Sequence, residues 1–438
     1  MTVNDPSYRR KVILMKLKKA FVTILILLCA VTVTAASAEE SVMIMGDDAL
    51  TALAQELYAC YPKDISGTIE FYQQKPEVEE WYDEAIRLFM KLYPNIIVEQ
   101  NVQNNASGYL RTRAVYGAFT DVWLYWPTDA VFASFQKRGL IMDVSDEPFV
   151  QYSVADIQNL YAFDGKMYGV PIAMNCAGIV CNLDLYEACG LHLPSTWEEL
   201  MNACSVFREN GIDPFMITAK DGNDVGIYEI YGQYVTTEQV KAIARHEMKY
   251  SDIEGWATAI DRILEIYDYG QVNAAATDYN DGVAQFAMGK EAMFMSGNWV
   301  LNAVEAINPD IRLELIPMPA GEGCVTSGID VGLSIGANTK YPDACKAFVN
   351  FLSCPAIASA FVNYDGAIPA IRGVTVNDIR VKTMADAIAA GKTFNWPSHF
   401  LPSEGTDSAF GEAAADLYRN RDKKAFMDAI DAIMEHAR

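Results

Sequence analysis

The sequence predicts an α/β fold assembled from parallel strand–helix–strand units. Three observations carry that expectation. Apolar runs of period two alternate with runs of helical period from residue 67 onward. The chain has 438 residues, room for two or three domains at about 150 residues each. Its apolar fraction is 51% and its charged fraction 21%, which supplies ample core and excludes disorder over most of the length.

The elements follow in order. Asp48 to Tyr58 has helical spacing and precedes the main fold. Gly67-Thr68-Ile69-Glu70-Phe71-Tyr72 alternates as a strand. Trp81, Ala85, Leu88, Phe89 and Leu92 then share one helix face, which Pro94 ends. Asn95 to Gln100 and Asp121-Val122-Trp123-Leu124-Tyr125 read as the next strands. In the middle of the chain, Ser195 to Glu198 and Ser251 to Glu254 have the Ser-x-x-Glu spacing of a capping box, each opening a helix. Glu291 to Met295 is a strand that turns at Ser296-Gly297. Pro342 starts a helix carrying Ala347, Phe348, Phe351 and Leu352, and a last helix buries Phe426, Ile430, Ile433 and Met434.

The first 38 residues read as an address. Arg9, Arg10, Lys11, Lys16, Lys18 and Lys19 precede an apolar run from Ala20 to Val33, and Ala36-Ser37-Ala38 is a small-x-small cleavage site. The run is shorter than the ~20 residues a membrane span needs. Met15 begins a more typical signal than Met1. A lipid attachment at Cys29 is disfavoured because Leu28, directly before it, is not small. The whole chain carries 34 bases against 57 acids, a net of -23. Removal of residues 1–38 leaves 28 bases against 56 acids, a net of -28. That balance argues against nucleic acid and against anionic lipid.

Motifs of catalysis and metal binding fail on context. Gly332-Leu333-Ser334-Ile335-Gly336 has nucleophile-elbow spacing, but that motif needs a helix directly after the serine. Here the next helix waits until Pro342, so a strand with glycines for close packing is the better reading. His192, His246, His399 and His436 do not pair at i, i+4. Asp278, Asn280, Asp281 and Gly282 resemble a calcium loop only in part and read as a polar turn. The eight cysteines after residue 38 (Cys60, Cys176, Cys181, Cys189, Cys204, Cys324, Cys345 and Cys354) form no Cys-x-x-Cys. Export permits disulfides, and buried free thiols fit equally well.

Aromatic and amide residues at strand ends remain. Tyr72-Gln73-Gln74, Trp123-Leu124-Tyr125-Trp126 and Asn298-Trp299 are the clearest. Sugars present hydroxyls and apolar C–H faces, which such residues recognise. Open α/β sheets bind ligands beyond the carboxyl ends of their strands.

From about Gly67 to Arg438 the sequence resembles the family 1 extracellular solute-binding proteins, the sugar-binding subunits of ABC importers. The resemblance rests on ordered blocks. They are Gly67 to Tyr72 followed by Tyr93-Pro94-Asn95-Ile96, Thr120-Asp121-Val122-Trp123, Gly139-Leu140-Ile141-Met142-Asp143, and Asp164 to Pro171. Cys181 to Tyr186, Pro194 to Leu200, Phe286 to Met293, Ser296-Gly297-Asn298-Trp299, Gly332 to Ile335 and Gly366-Ala367-Ile368-Pro369 complete them.

The family implies a type II, maltose-binding-protein-like periplasmic-binding-protein fold with hinge crossovers between two lobes. The expected organisation is a signal peptide over 1–38 and an N-terminal extension over 39–65. Lobe 1 takes 66–172 and 332–370; lobe 2 takes 173–331 and 371–438. Crossings are expected near Ile172 to Asn175, Thr326 to Gly332 and Tyr364 to Arg372. The resemblance implies a cofactor-free monomer, exported to the periplasm or cell surface. Its partners are a small-molecule sugar and the membrane permease subunits, with no nucleic acid.

Site residues carry over by position. Trp299 matches the family's stacking tryptophan, and Asn298 sits beside it. Asn175 matches a sugar-bonding position, and Trp126 and Asp129 match an aromatic and an acid. Gln73, Gln74, Asp330 and Tyr364 lie at the first strand end and the later crossings. Asp121, Gly165, Tyr168, Pro171 and Trp197 read as scaffold. The role of the segment Ser41 to Ile65 is open between a tether, a spacer and a cap on one lobe. Two rival functions stay open as well: an exported carbohydrate-acting enzyme, and a same-fold binder of a non-sugar solute such as a polyamine.

Overall fold

The structure is a computed structural model that describes residues 46–103, 106–127, 130–221, 229–321, 324–396 and 406–437. The expected signal peptide, Cys29 and Asp129 lie outside these residues. Twelve strands form in chain order: β1 Gly67–Gln73, β2 Ile96–Val102, β3 Val122–Leu124, β4 Ala162–Phe163, β5 Lys166–Met167 and β6 Val170–Asn182. They continue with β7 Asp213–Met216, β8 Glu291–Gly297, β9 Leu313–Ile316, β10 Val325–Ile335, β11 Ile368–Pro369 and β12 Thr393–Asn395.

One strand path runs β2-β1-β3-β10-β6-β8-β7, with β9 and β11 on β6 and β12 on β10. β1 is parallel to β2 and β3, and β7 is parallel to β8. These are the strand–helix–strand units the alternation predicts. The long strands β6 and β10 are antiparallel and join the two ends. The first part of β6 pairs with the last part of β10, which also pairs with β3. The second part of β6 pairs with β8 and β9. β11 lies against Met174 and Ala173 of β6. The segments expected to cross between lobes therefore run side by side at the centre of the molecule.

Apolar side chains segregate on either side of this centre. One core is built from Ile69, Phe71, Trp81, Phe89, Phe348 and Phe351, around β1 to β3 and the helix Pro342–Ser353. The other is built from Phe207, Phe215, Tyr231, Trp256, Ile263 and Phe426, around β7 and the helices Trp197–Glu209, Trp256–Tyr267 and Lys423–His436. The expected N-terminal helix spans Asp47–Cys60. It caps the first core: Leu53 and Leu57 are buried in it, and the Tyr58 hydroxyl donates to the Leu92 carbonyl at 2.6 Å.

Local details correct two expectations. The helix Trp197–Glu209 is capped by Thr196 rather than Ser195, with the Thr196 hydroxyl accepting from Glu199 N at 3.2 Å. Ser195 instead donates through N and Oγ to the Glu199 carboxylate, so the box is shifted by one residue. Ser251 caps nothing; it lies in a short 3-10 turn, and the helix Trp256–Tyr267 starts behind Gly255 with no side-chain cap.

Asp278 is the N-cap of the helix Tyr279–Ala287, its carboxylate accepting from Asp281 N at 3.0 Å. Ser334 lies buried inside β10 and donates to the Tyr168 carbonyl at 2.8 Å, which removes it from any nucleophile geometry. A Cβ at Gly332 would overlap the Tyr161 hydroxyl, which donates to the Tyr125 carbonyl at 2.8 Å. All eight described cysteines are free thiols. Among the described residues no single helix is long and apolar enough to cross a membrane.

Candidate ligand-binding site

The site is built where β8, β6, β10 and β12 lie next to one another. Register places Gly297, Ala177, Thr326 and Phe394 in one row across these strands. Directly paired residues point to the same face of a sheet. Two residues along β6, Asn175 pairs with Gly328 and shares that face. Three of these positions carry glycine or alanine, so the floor at the centre of the molecule is low.

Trp299 stands over this floor. It opens the helix Trp299–Ile307, and a Cβ on Gly297 would overlap its indole ring. Glycine is thus required at 297 by the ring lying on its backbone. Trp299 is half-buried and lies 6.1 Å, centroid to centroid, from the half-buried Trp396. Tyr279 hydrogen-bonds with Trp299. Its hydroxyl is pushed up to about 12, first by burial and then by the Glu77 charge, against the lowering effect of that bond. Glu77 follows β1 in the chain, so its charge acts on this site from the other end of the strand path.

Asn175 is half-buried, and its Oδ1 accepts from Asn298 Nδ2 at 3.1 Å. Asn298 is a clamp. Its Oδ1 accepts from Cys176 N at 2.8 Å, and its Nδ2 also donates to the Gly366 carbonyl at 3.1 Å. It holds β6 to the β11 segment with both ends of its amide.

The end of β1 supplies a second group. Gln73 is buried; it donates to Gln100 Oε1 at 3.1 Å and accepts from Lys75 N at 2.5 Å. Gln74 is buried too, and its amide oxygen and nitrogen have no hydrogen-bond partner among the described residues. Lys75 then reaches into the centre. Its ammonium donates to Asp330 at 2.6 Å and Asp365 at 2.7 Å, all three side chains being buried. Burial alone would depress the Lys75 ammonium, but the two carboxylates outweigh it and hold the group above the ordinary lysine value. Asp365 is pushed up to about 6, first by burial and also by Asp330, against the pull of Lys75.

Asp330 occupies an irregular point of the ladder. Ile329 pairs with Met174 and Gly332 with Pro171, but Val331 is slipped onto Ala173. Asp330 and Ile172 drop out of the pairing, and the Ile172 carbonyl accepts from Ala370 N at 2.9 Å instead.

Other expected residues are placed apart. Trp123 and Tyr125 are buried in an aromatic layer with Phe132, Phe135 and Tyr161, and only Trp126 of that run is half-buried. Tyr364 packs against the first core beside Glu80 and Glu84. Asp121 is scaffold: its carboxylate accepts from Glu70 N at 3.0 Å and from Thr339 at 2.7 Å.

Sequence reasoning missed Lys75, Asp365, Trp396 and Glu229. Lys75 directly follows the Gln73-Gln74 pair, and Glu229 is a lone acid in the apolar run Ile227 to Tyr231. Each carried a signal, but only the fold brings them to the centre. Glu229 is fully buried. Burial raises its carboxyl well above the ordinary range, and the neighbouring Thr326 hydroxyl opposes this.

Comparison with known proteins now has a geometry to attach to. The family model described as bacterial extracellular solute-binding protein matches residues 74–357, well over half of the chain. The chain belongs to this family. It is 24% identical to the multiple sugar-binding protein of Streptococcus mutans over 397 residues, 87% of this chain and 93% of that one. It is 25% identical to the melibiose/raffinose/stachyose-binding protein MelE of Bacillus subtilis over 209 residues, 44% of this chain and 48% of that one. Among solved structures, apo RafE from Streptococcus pneumoniae superposes with a TM-score of 0.74 at 24% identity, covering 84% of this chain and 97% of that one. RafE in complex with raffinose gives 0.71 at 25%, covering 84% and 99%. The family members compared are binding proteins, and the fold expected from the resemblance, that of the family 1 solute-binding proteins, is the one found.

Proposed function

We propose that this chain is the exported ligand-capturing subunit of an ABC importer and that it binds a mono- or oligosaccharide. The observation that carries the reading is the low row Gly297–Ala177–Thr326 with the Trp299 indole lying over one end and Asn175 at its edge. A flat apolar face above small residues, flanked by amides, suits the C–H face and hydroxyls of a sugar ring. Raffinose is the ligand of a RafE structure, and the name of the Streptococcus mutans relative specifies several sugars.

In this reading the two cores belong to two lobes, residues 66–172 with 332–370 and residues 173–331 with 371–438. The lobes close over the ligand, and the permease meets the closed form. Trp299, Asn175, Gln74 and Asp330 contact the ligand, and Asn298, Gln73 and Tyr364 position their neighbours. The ligand stabilises the closed state by binding it more tightly than the open one. No bond in the sugar is made or broken, and the protein acts as a monomer that delivers intact ligand.

Thermal melting with raffinose, stachyose, monosaccharides and spermidine tests this. A ligand at one hundred times its Kd adds about 2.7 kcal/mol of stability, so at least one sugar is expected to raise the melting temperature by a few degrees. A shift with spermidine and none with any sugar would refute the reading. Chromatography of the incubated sugars is expected to show no cleavage products.

A further inference from the structure

We propose that Glu229 is a ligand-binding carboxylate that accepts hydrogen bonds from ring hydroxyls of a sugar lying on Trp299. The proposal rests on the sugar-binding reading above and adds a residue that neither the motifs nor the resemblance singled out.

Glu229 is 0% exposed, and its carboxyl oxygens make no well-formed hydrogen bond among the described residues, although the Thr326 hydroxyl stands beside them. A buried carboxyl so sparsely supplied with donors is costly and is rare in a settled interior. Its position explains what would supply the donors. The carboxyl neighbours the Thr326 side chain, and Thr326 lies in the row Gly297–Ala177–Thr326. Trp299 covers Gly297 at one end of that row. Ala177, a small residue, lies between Gly297 and Thr326 in that row. The row therefore runs from the Trp299 indole at one end to the buried Glu229 carboxyl beside the other.

The chemistry of the row selects its occupant. A ring that stacks on Trp299 carries its hydroxyls at its edge, pointing along the row toward Glu229. A carboxylate presents two oxygens and can accept from two neighbouring hydroxyls at once. Glu229 directly precedes Ile230 and Tyr231, which are buried in the second core. Those anchors fix its backbone, so the carboxyl is held ready rather than ordered by the ligand.

The test uses Glu229→Gln and Glu229→Ala in the exported chain, with raffinose as the probe by titration calorimetry and melting of the ligand-free protein as a second arm. The expected result is a loss of raffinose affinity of about 10- to 100-fold, larger for Ala than for Gln, with ligand-free melting at or above wild type. Affinity within twofold of wild type in both variants would overturn the proposal and leave the sugar reading intact. Ligand-free melting of Glu229→Gln several degrees below wild type would also overturn it, because the carboxyl would then be structural. If wild-type protein binds neither raffinose nor any other sugar, the sugar reading fails and the role of Glu229 toward ring hydroxyls falls with it.

Discussion

Trp299 and Gly297 act as one unit. The indole lies where a side chain at 297 would be, so the sequence Ser-Gly-Asn-Trp encodes a ring laid back over its own strand. Trp299→Ala is expected to cost about 1–3 kcal/mol in raffinose affinity through lost stacking and area. Gly297→Ala should cost a comparable amount by displacing the ring. Calorimetry on both variants checks this; a Gly297→Ala protein that binds as wild type would place the ring elsewhere.

Asp365 gives a pH signature. Its carboxyl stands at about 6 in the folded protein against an ordinary 3.8. The native state therefore holds the proton more tightly than the unfolded state, and stability falls as pH rises through about 4 to 6. Asp365→Asn removes that slope. Relative to wild type it should gain on the order of 1–3 kcal/mol between pH 4 and 7, with the Lys75–Asp330 pair still in place. Parallel melting profiles of the two proteins across this range would show the assignment of the group to be wrong. At this scale the sequence was legible where a motif carries the residue, as with Trp299 and Asn175. It was silent on Lys75, Asp365 and Glu229, because their importance comes from partners hundreds of residues away or from partners they lack.

At the scale of elements, helix and strand positions were the most legible features. The expected helix Asp48 to Tyr58 forms as Asp47–Cys60, because Leu53 and Leu57 recur at helical spacing. Helix starts were less so. A Ser-x-x-Glu pattern can also bond one residue out of step, as Ser195, Thr196 and Glu199 do. The N-terminal helix is an addition to the first core and touches none of the central row. Leu57→Ala is expected to destabilise the protein by about 2–4 kcal/mol, since Leu57 is fully buried. Raffinose affinity should not change. Urea unfolding and calorimetry separate the two effects, and a parallel loss of affinity would tie the helix to the site.

For the molecule as a whole, the α/β class follows from periodicity, while the pairing of β6 with β10 does not. Those strands are separated by more than 140 residues, and no local pattern selects their register. The family resemblance marked Ile172 to Asn175 and Thr326 to Gly332 as crossings, and the structure adds that the two segments pair. The charge has a matching scale: a net of -23 spread over 438 residues keeps the surface solvated, while the centre is a balance of one lysine and two aspartates.

The missing rung at Asp330 and Ile172 has a mechanical meaning. A ladder bends most cheaply where a crosspiece is already absent, since no further bond has to break there. Flexing of the long strand pair should concentrate at that point. The Lys75 ammonium sits on it like a pin, gripping one carboxylate in the strand and one beyond it. Motion about the joint would turn around the ion pair rather than tear it, leaving the compliance local and the two cores undistorted.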